Sequence, residues 1–350
     1  MTLLPLPNSQ LDEVIHRSLK AFERLNGSKI FVTGATGFLG AWFLSVLSRA
    51  TELNILKVQV VCLSRDPNTF INRYQRLNNI LKINWLEGDI RNYSGKDVAA
   101  NFVVHGATTA AAETFSGQSN LEKYSVIVEG TQNILKHSMN SSLDSFLYLS
   151  SGAVYSSQSN LFSAPIPEGM SIAIDPFTTQ FTLGNSKAAA ECLLGIYQEQ
   201  NPGVNFKVCR IFSLLGPGLP LDIHYAVGNF VRDSLLGGPI RIKSRGTAVR
   251  SYLYITDTIV WLLNALVFGR TGFAFHVGSS EEVTILELAQ KVATLTGSEV
   301  LFDFDIQAET SPASHYYVPE NTRTKSILEV EEWISLEESL VRTIDYVRNS

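Results

Sequence analysis

The chain has 350 residues, 45% hydrophobic and 17% charged, enough to bury one large or two ordinary domains and unlike the composition of a disordered chain. A formal net charge of −5 and a pI of about 5.7 have the wrong sign for a general nucleic-acid or anionic-membrane binder, so local basic residues must hold any phosphate. Cys62, Cys192 and Cys209 lie in apolar runs without a CxxC pair, and the six histidines are scattered, which points to buried thiols in a reducing, cytoplasmic setting and to no metal. No apolar run approaches the roughly 18 residues of a membrane span, and the first residues lack a signal peptide's blocks.

A short amphipathic segment (Leu11, Val14, Ile15, Leu19, Phe22) opens the chain. Apolar runs then alternate with helical patterns to about residue 215. Strands are expected at 29–33, 58–63, 82–86, 101–105, 144–150 and 205–212, and helices at 37–50, 121–140 and 184–200. This alternation predicts an α/β fold on a doubly wound parallel sheet, of the Rossmann kind. Past Gly216-Pro-Gly-Leu-Pro220 the rhythm changes to a helix near 225–236, a short strand at 239–243, a helix from Thr256, a further strand–helix pair and a last helix at 336–348. The expected organisation is an N-terminal helical extension (1–28), a dinucleotide-binding domain (29–215) and a smaller C-terminal α/β substrate lobe (216–350). That lobe would close over the carboxyl ends of the strands, with elements of the two lobes free to interleave.

Residues 29–40, Lys-Ile-Phe-Val-Thr-Gly-Ala-Thr-Gly-Phe-Leu-Gly, read as strand, turn and helix. Gly34 permits the tight turn, Gly37 lets a diphosphate approach backbone N–H groups, and Gly40 allows close helix packing. With Thr36, Phe38 and Leu39 they would place a pyrophosphate at the positive end of the helix dipole. Three glycines alone could be a plain turn; the strand before, the helix after and the second strand beyond point to a cofactor. At the end of that second strand Ser64 and Arg65 stand where an acid would bind both ribose hydroxyls. A hydroxyl and a guanidinium suit the 2′-phosphate of NADP, whereas Asp66 could reach the ribose of NAD or cap the turn before Pro67. NADP or NAD is expected, with NADP favoured.

Together these stretches resemble the extended short-chain dehydrogenase/reductases, in the NAD(P)-dependent nucleotide-sugar epimerase/dehydratase branch. The likeness runs from Lys29 to the last helix. It rests on Thr33-Gly-Ala-Thr-Gly-Phe-Leu-Gly40, Gly88-Asp89-Ile90, His105-Gly-Ala107, Leu149-Ser-Ser-Gly-Ala-Val-Tyr155, Arg210-Ile-Phe-Ser-Leu-Leu-Gly-Pro217 and Arg250-Ser-Tyr-Leu-Tyr-Ile-Thr-Asp257. The resemblance implies cofactor contacts by Asp89 and Ile90 near the adenine, by His105 and Ala107 at the fourth strand's end, and by Lys187 on the ribose. It implies substrate contacts by Thr109, Ser151, Asn229 and Arg250, a nucleotide-diphosphate sugar as substrate, and a homodimer through the helices at 121–140 and 184–200.

In that family a tyrosine four residues before the lysine takes the sugar hydroxyl proton. Here Leu183 occupies that place, and a leucine neither donates nor accepts a proton. The catalytic candidates are therefore Ser151 and Lys187, with Thr108, Thr109, Tyr155 and Thr182 as possible relays. The family's 4,6-dehydratases carry an acid pair after the serine, whereas Gly152 and Ala153 follow Ser151, so dehydration is disfavoured. The leading expectation is a nucleotide-sugar epimerase or keto-sugar reductase/dehydrogenase. The alternative is a catalytically impaired relative that only binds a dinucleotide or nucleotide sugar.

Overall fold

Six apolar runs of the first 215 residues become parallel strands because such runs are stable only when helices cover both faces of the sheet. They are β1 (Lys29–Thr33), β2 (Gln59–Ser64), β3 (Asn84–Glu87), β4 (Phe102–His105), β5 (Ser145–Ser151) and β6 (Asn205–Ile211). The computed structural model describes residues 5–94, 98–109, 117, 119–140, 142–221, 226–303 and 316–350. Within them the main sheet has seven parallel strands in the order Ala274–Val277, β6, β5, β4, β1, β2, β3. The order reverses between β1 and β4, the switch point at which a doubly wound sheet opens a ligand crevice.

Two helical layers cover the sheet. On one face the helices Phe38–Glu52 and Ile255–Phe268 enclose a core that includes Trp42, Val46, Trp261 and Leu263. The opening amphipathic segment is two helices, Asn8–Arg17 and Leu19–Leu25, broken at Ser18, which bury Leu11, Val14, Ile15, Phe22 and Leu25 in that same core and leave Leu19 exposed. On the other face the helices Asn120–Ser138 and Thr182–Gln200 pack on Phe31, Val103, Phe146 and Phe206. The first of these starts where the Ser119 hydroxyl accepts from Glu122 N at 3.1 Å, a cap worth about 1 kcal/mol.

A second lobe has its own core of Val227, Phe230, Val231, Ile240, Leu288, Val292, Leu340 and Ile344. It comprises the helices Ala226–Leu235, Ile285–Thr296 and Leu336–Arg348 and short strands, among them Ile240–Ile242 paired with Val300–Phe302. Residue 225, at the expected start of the first of these helices, lies outside the described residues. The stretch from 216 onward is not this lobe alone. Ile255–Phe268 packs on the main sheet, and Ala274–Val277 extends it beside β6, so the chain returns to the first lobe before finishing the second. Cys62 and Cys209 are buried, but Cys192 lies on the exposed side of its helix, contrary to the expectation of three buried thiols.

Candidate active site

The crevice at the switch point is built from backbone. Gly34, at φ +74°, turns the chain out of β1 so tightly that a Cβ there would stand 2.5 Å from the carbonyl carbon of Gly106, beyond β4. A Cβ on Gly40 would meet Gly34 O at 2.4 Å, so this glycine packs the first turn of the helix on the loop itself. Gly37 differs. It is exposed, and a Cβ there would find only Gly34 O at 3.5 Å. No side chain caps the helix that follows, so its first N–H groups face the opening beside Thr36. This cradle in front of a 15-residue helix fits a dinucleotide diphosphate. Phe38 and Leu39 pack their side chains partly on the main core and contribute backbone only.

At the end of β2 the Ser64 hydroxyl accepts from Asp66 N at 3.2 Å. Asp66 caps the next helix, accepting from Thr69 N at 3.1 Å and from Thr69 Oγ1 at 2.5 Å, so it is spent on the turn; Arg65 is exposed beside it. Across from them Asp89 accepts from the backbone and guanidinium of Arg91 at 2.8–3.0 Å, which holds its carboxyl below the usual range. Ile90 is buried in the second core, with its side chain against Gly130, and offers the crevice no side-chain surface.

His105 is fully buried beneath the crevice. Thr131 Oγ1 donates to Ile127 O at 2.5 Å, so it accepts from His105 Nε2 at 3.0 Å, which leaves Nδ1 to accept from Thr33 Oγ1 at 2.6 Å. Burial, aided by the charge on Lys187, pushes the imidazole down to about 3. His105 is thus a neutral brace under the crevice floor, its ring held between Thr33 and Thr131. Ala107 is half-buried, its N–H donating to Thr33 Oγ1 at 3.2 Å; Thr109 is buried at the edge of the described residues.

Lys187 sits one turn into its helix. Its ammonium donates to Leu149 O at 2.8 Å and lies 4.8 Å from the centre of the Tyr148 ring. Ser151 ends β5, where its hydroxyl accepts from Ala153 N at 3.1 Å. Leu183 is half-buried against the second core and carries no polar group to this end of the sheet. Tyr155 is no substitute. Its oxygen accepts from Arg210 Nη1, and because His276 Nδ1 must donate to Glu320 O at 2.9 Å, the phenol donates to His276 Nε2 at 2.9 Å. Both its hydrogen-bonding capacities are used, and burial pushes its pKa up. Thr182 donates to Thr179 O at 2.6 Å, and Thr108 is exposed.

Beyond β5 a cleft of about 530 Å³ opens between the lobes. The first lobe contributes Ala153, Tyr155, Ser156, Gln180 and Phe181, and the second contributes Arg250, Tyr316 and Tyr317. Arg250 therefore reaches the cleft as expected from its strand, whereas Asn229, half-buried on its helix, does not line it. Tyr317 was not a candidate. It follows residues with no periodic signal, and only its pairing with Val249–Arg250 carries it into the cleft.

The chain carries a glycine turn before a helix at the end of β1, and a buried lysine and a polar cleft by the end of β5. The chain is 24% identical over 331 residues to the low-salt glycan biosynthesis protein Agl12 of Haloferax volcanii, covering 91% of this chain and 97% of that protein. It is 26% identical over 329 residues to UDP-glucuronic acid decarboxylase 1 of Arabidopsis thaliana, covering 92% and 70%. With another Arabidopsis enzyme, UDP-glucuronic acid decarboxylase 5, the match is 27% and spans only 50% of each protein. In fold it resembles UDP-glucose 4-epimerase of Thermotoga maritima (TM-score 0.76, 22% identity, 92% of this chain and 99% of that one). UDP-glucuronic acid 4-epimerase of Bacillus cereus, solved with UDP-glucuronic acid and NAD, gives the same values. Residues 30–278 match the NAD dependent epimerase/dehydratase family, and the chain belongs to it.

Proposed function

We propose that this chain is an NAD(P)-dependent enzyme that oxidises or reduces one carbon of a nucleotide-diphosphate sugar, of the epimerase or keto-sugar reductase type. The observation that carries the reading is the opening of the Arg250 cleft beside Ala153, just past the end of β5, the strand that carries Ser151 and whose Leu149 carbonyl takes the Lys187 ammonium. Bound in the cradle, the dinucleotide supplies a hydride acceptor or donor. Gly37 and the helix start hold its diphosphate, and Lys187 holds its ribose. Ser151 donates a hydrogen bond to the reacting sugar oxygen, and Arg250 forks onto the sugar nucleotide's phosphates. No carboxylate follows Ser151, which argues against 4,6-dehydration. Relatives named as a decarboxylase and an epimerase make a purely binding role the less supported reading.

Several solved neighbours hold NAD, which supports NAD, while Arg65 supports room for the 2′-phosphate of NADP; we take the site to accept both. The exposed Leu121, Tyr124 and Ile196 on the helices Asn120–Ser138 and Thr182–Gln200 support a homodimer. Free thiols support a cytoplasmic setting. The test is absorbance at about 340 nm, the reduced nicotinamide band, after adding UDP-, dTDP-, GDP- and CDP-sugars to protein loaded with oxidised dinucleotide. Reduction, or conversion of the sugar to its epimer seen by chromatography, is expected with one sugar class; cofactor and sugar both unchanged with all of them overturn the reading.

A further inference from the structure

The phenol missing at Leu183 has a counterpart elsewhere. Tyr317 Oη stands directly over Gly152, the residue after Ser151, so that a Cβ on Gly152 would lie 2.5 Å from it. Its ring packs on Phe212 with centroids 4.8 Å apart, and the Arg250 guanidinium lies 5.8 Å from the ring centre. Backbone pairing fixes the segment on two sides. Tyr317 pairs with Arg250, and Ile166 N donates to Val318 O at 2.8 Å, tying the second lobe to the first at this point. Glycine at 152 is what admits the hydroxyl, at the position where the dehydratases of this family carry an acid.

We propose that Tyr317 is the proton-transfer residue of this site, taking the role for which Leu183 has no group. The inference rests on the reading of the site given above. In the oxidative direction Tyr317, as phenolate, accepts the proton of the sugar hydroxyl. The electron pair of the carbon–hydrogen bond at that carbon leaves as hydride to the oxidised dinucleotide, and the carbinol becomes a ketone. In the reductive direction Tyr317 returns the proton to the oxygen. The Arg250 guanidinium, over the face of the same ring, places the phenol beside the group that would hold the substrate's phosphates. Gly152 and Phe212 hold the ring so that little reorganisation accompanies transfer.

Tyr317→Phe keeps the ring and removes only the hydroxyl, and Tyr317→Phe/Leu183→Tyr moves a phenol to the family's usual place. Three readouts are compared with the unmodified protein: dinucleotide binding by fluorescence, dinucleotide reduction with its pH profile, and phenolate formation by difference absorbance at about 295 nm. Tyr317→Phe is expected to bind dinucleotide normally and to lose about 10²–10⁴ in turnover with little change in KM. It should also lose one limb of the pH profile and the first phenolate to form on raising the pH. The double variant should regain at least about tenfold of that rate. Unchanged turnover and pH profile in Tyr317→Phe overturn the proposal and leave the proposed function standing. If the unmodified protein neither reduces its dinucleotide nor epimerises any sugar, the proposed function fails, and the phenolate titration still decides Tyr317: an unchanged early phenolate in Tyr317→Phe overturns its role.

Discussion

Lys187 Nζ donates to the Leu149 carbonyl at 2.8 Å, joining the helix beside the cleft to the strand that ends at Ser151. Burial pushes this ammonium down from the ordinary 10.5 to about 8, against the pull of Glu191 one turn further on. Lys187 therefore holds its proton below about pH 8 and loses it above. Dinucleotide affinity is expected to fall as the pH rises through that value, and Lys187→Met should weaken binding at pH 7 and abolish the fall. Stability runs the other way: the fold favours neutral lysine, so the lysine's contribution grows between about pH 8 and 10.5. Fluorescence titrations that are flat across pH 8 in the unmodified protein would contradict the assignment.

The glycines of the cradle separate folding from binding. Gly37→Ala adds a methyl where only Gly34 O lies near, at 3.5 Å, so thermal stability should hold while the methyl intrudes on the diphosphate. A loss of at least about tenfold in dinucleotide affinity, some 1.4 kcal/mol, is expected. Gly40→Ala puts its methyl 2.4 Å from Gly34 O and should lower both the melting temperature and the affinity. Calorimetry showing equal destabilisation by the two substitutions would refute this division.

Arg65 is the exposed cation at the end of β2, while Asp66 is committed to Thr69. Arg65→Ala should weaken NADPH by about 1–3 kcal/mol and leave NADH within a few tenths, because only the 2′-phosphate needs the guanidinium. Equal losses for the two, in parallel titrations, would remove Arg65 from the cofactor site.

Asp257 lies fully buried at the start of the helix Ile255–Phe268. It accepts from Arg17 Nη1 at 3.2 Å and from the backbone of Trp333 and Ile334 at 2.9 and 3.0 Å, joining the N-terminal helices to the segment before the last helix. Burial dominates and raises its carboxyl to about 6 despite these donors. Arg17→Ala should cost about 3 kcal/mol, the lower end for breaking a buried pair because Arg17 keeps some exposure. Urea unfolding should show a lower midpoint with an unchanged slope; an unmoved midpoint would make the pair incidental.

Leu121 is 78% exposed, and Tyr124 and Ile196 on the same two-helix layer are open as well. Light scattering at micromolar concentration should report twice the 38.6 kDa chain mass, and Leu121→Glu/Tyr124→Glu should shift it towards the monomer. A monomer before any substitution would exclude the dimer.

Features written within a few turns of chain were legible in the residues alone. The β1–glycine–helix unit, the six strands and the helices beside them each depend on neighbours close in sequence, where periodicity and turn chemistry act directly. Lys187 and Ser151 were singled out through the family resemblance of the motifs around them, not by periodicity. What the tertiary structure decided are contacts between segments far apart. His105 and Ile90 lie in motifs that read as cofactor contacts, yet Thr33, Thr131 and Gly130 close over them and make them core. The segment Ile255–Val277 reads as second lobe until Ala274–Val277 finds its edge beside β6. Tyr317 gains its place only because Gly152, on the other lobe, has no side chain to exclude its hydroxyl. Such a vacancy is a property of two packed surfaces, and no local pattern in either segment encodes it.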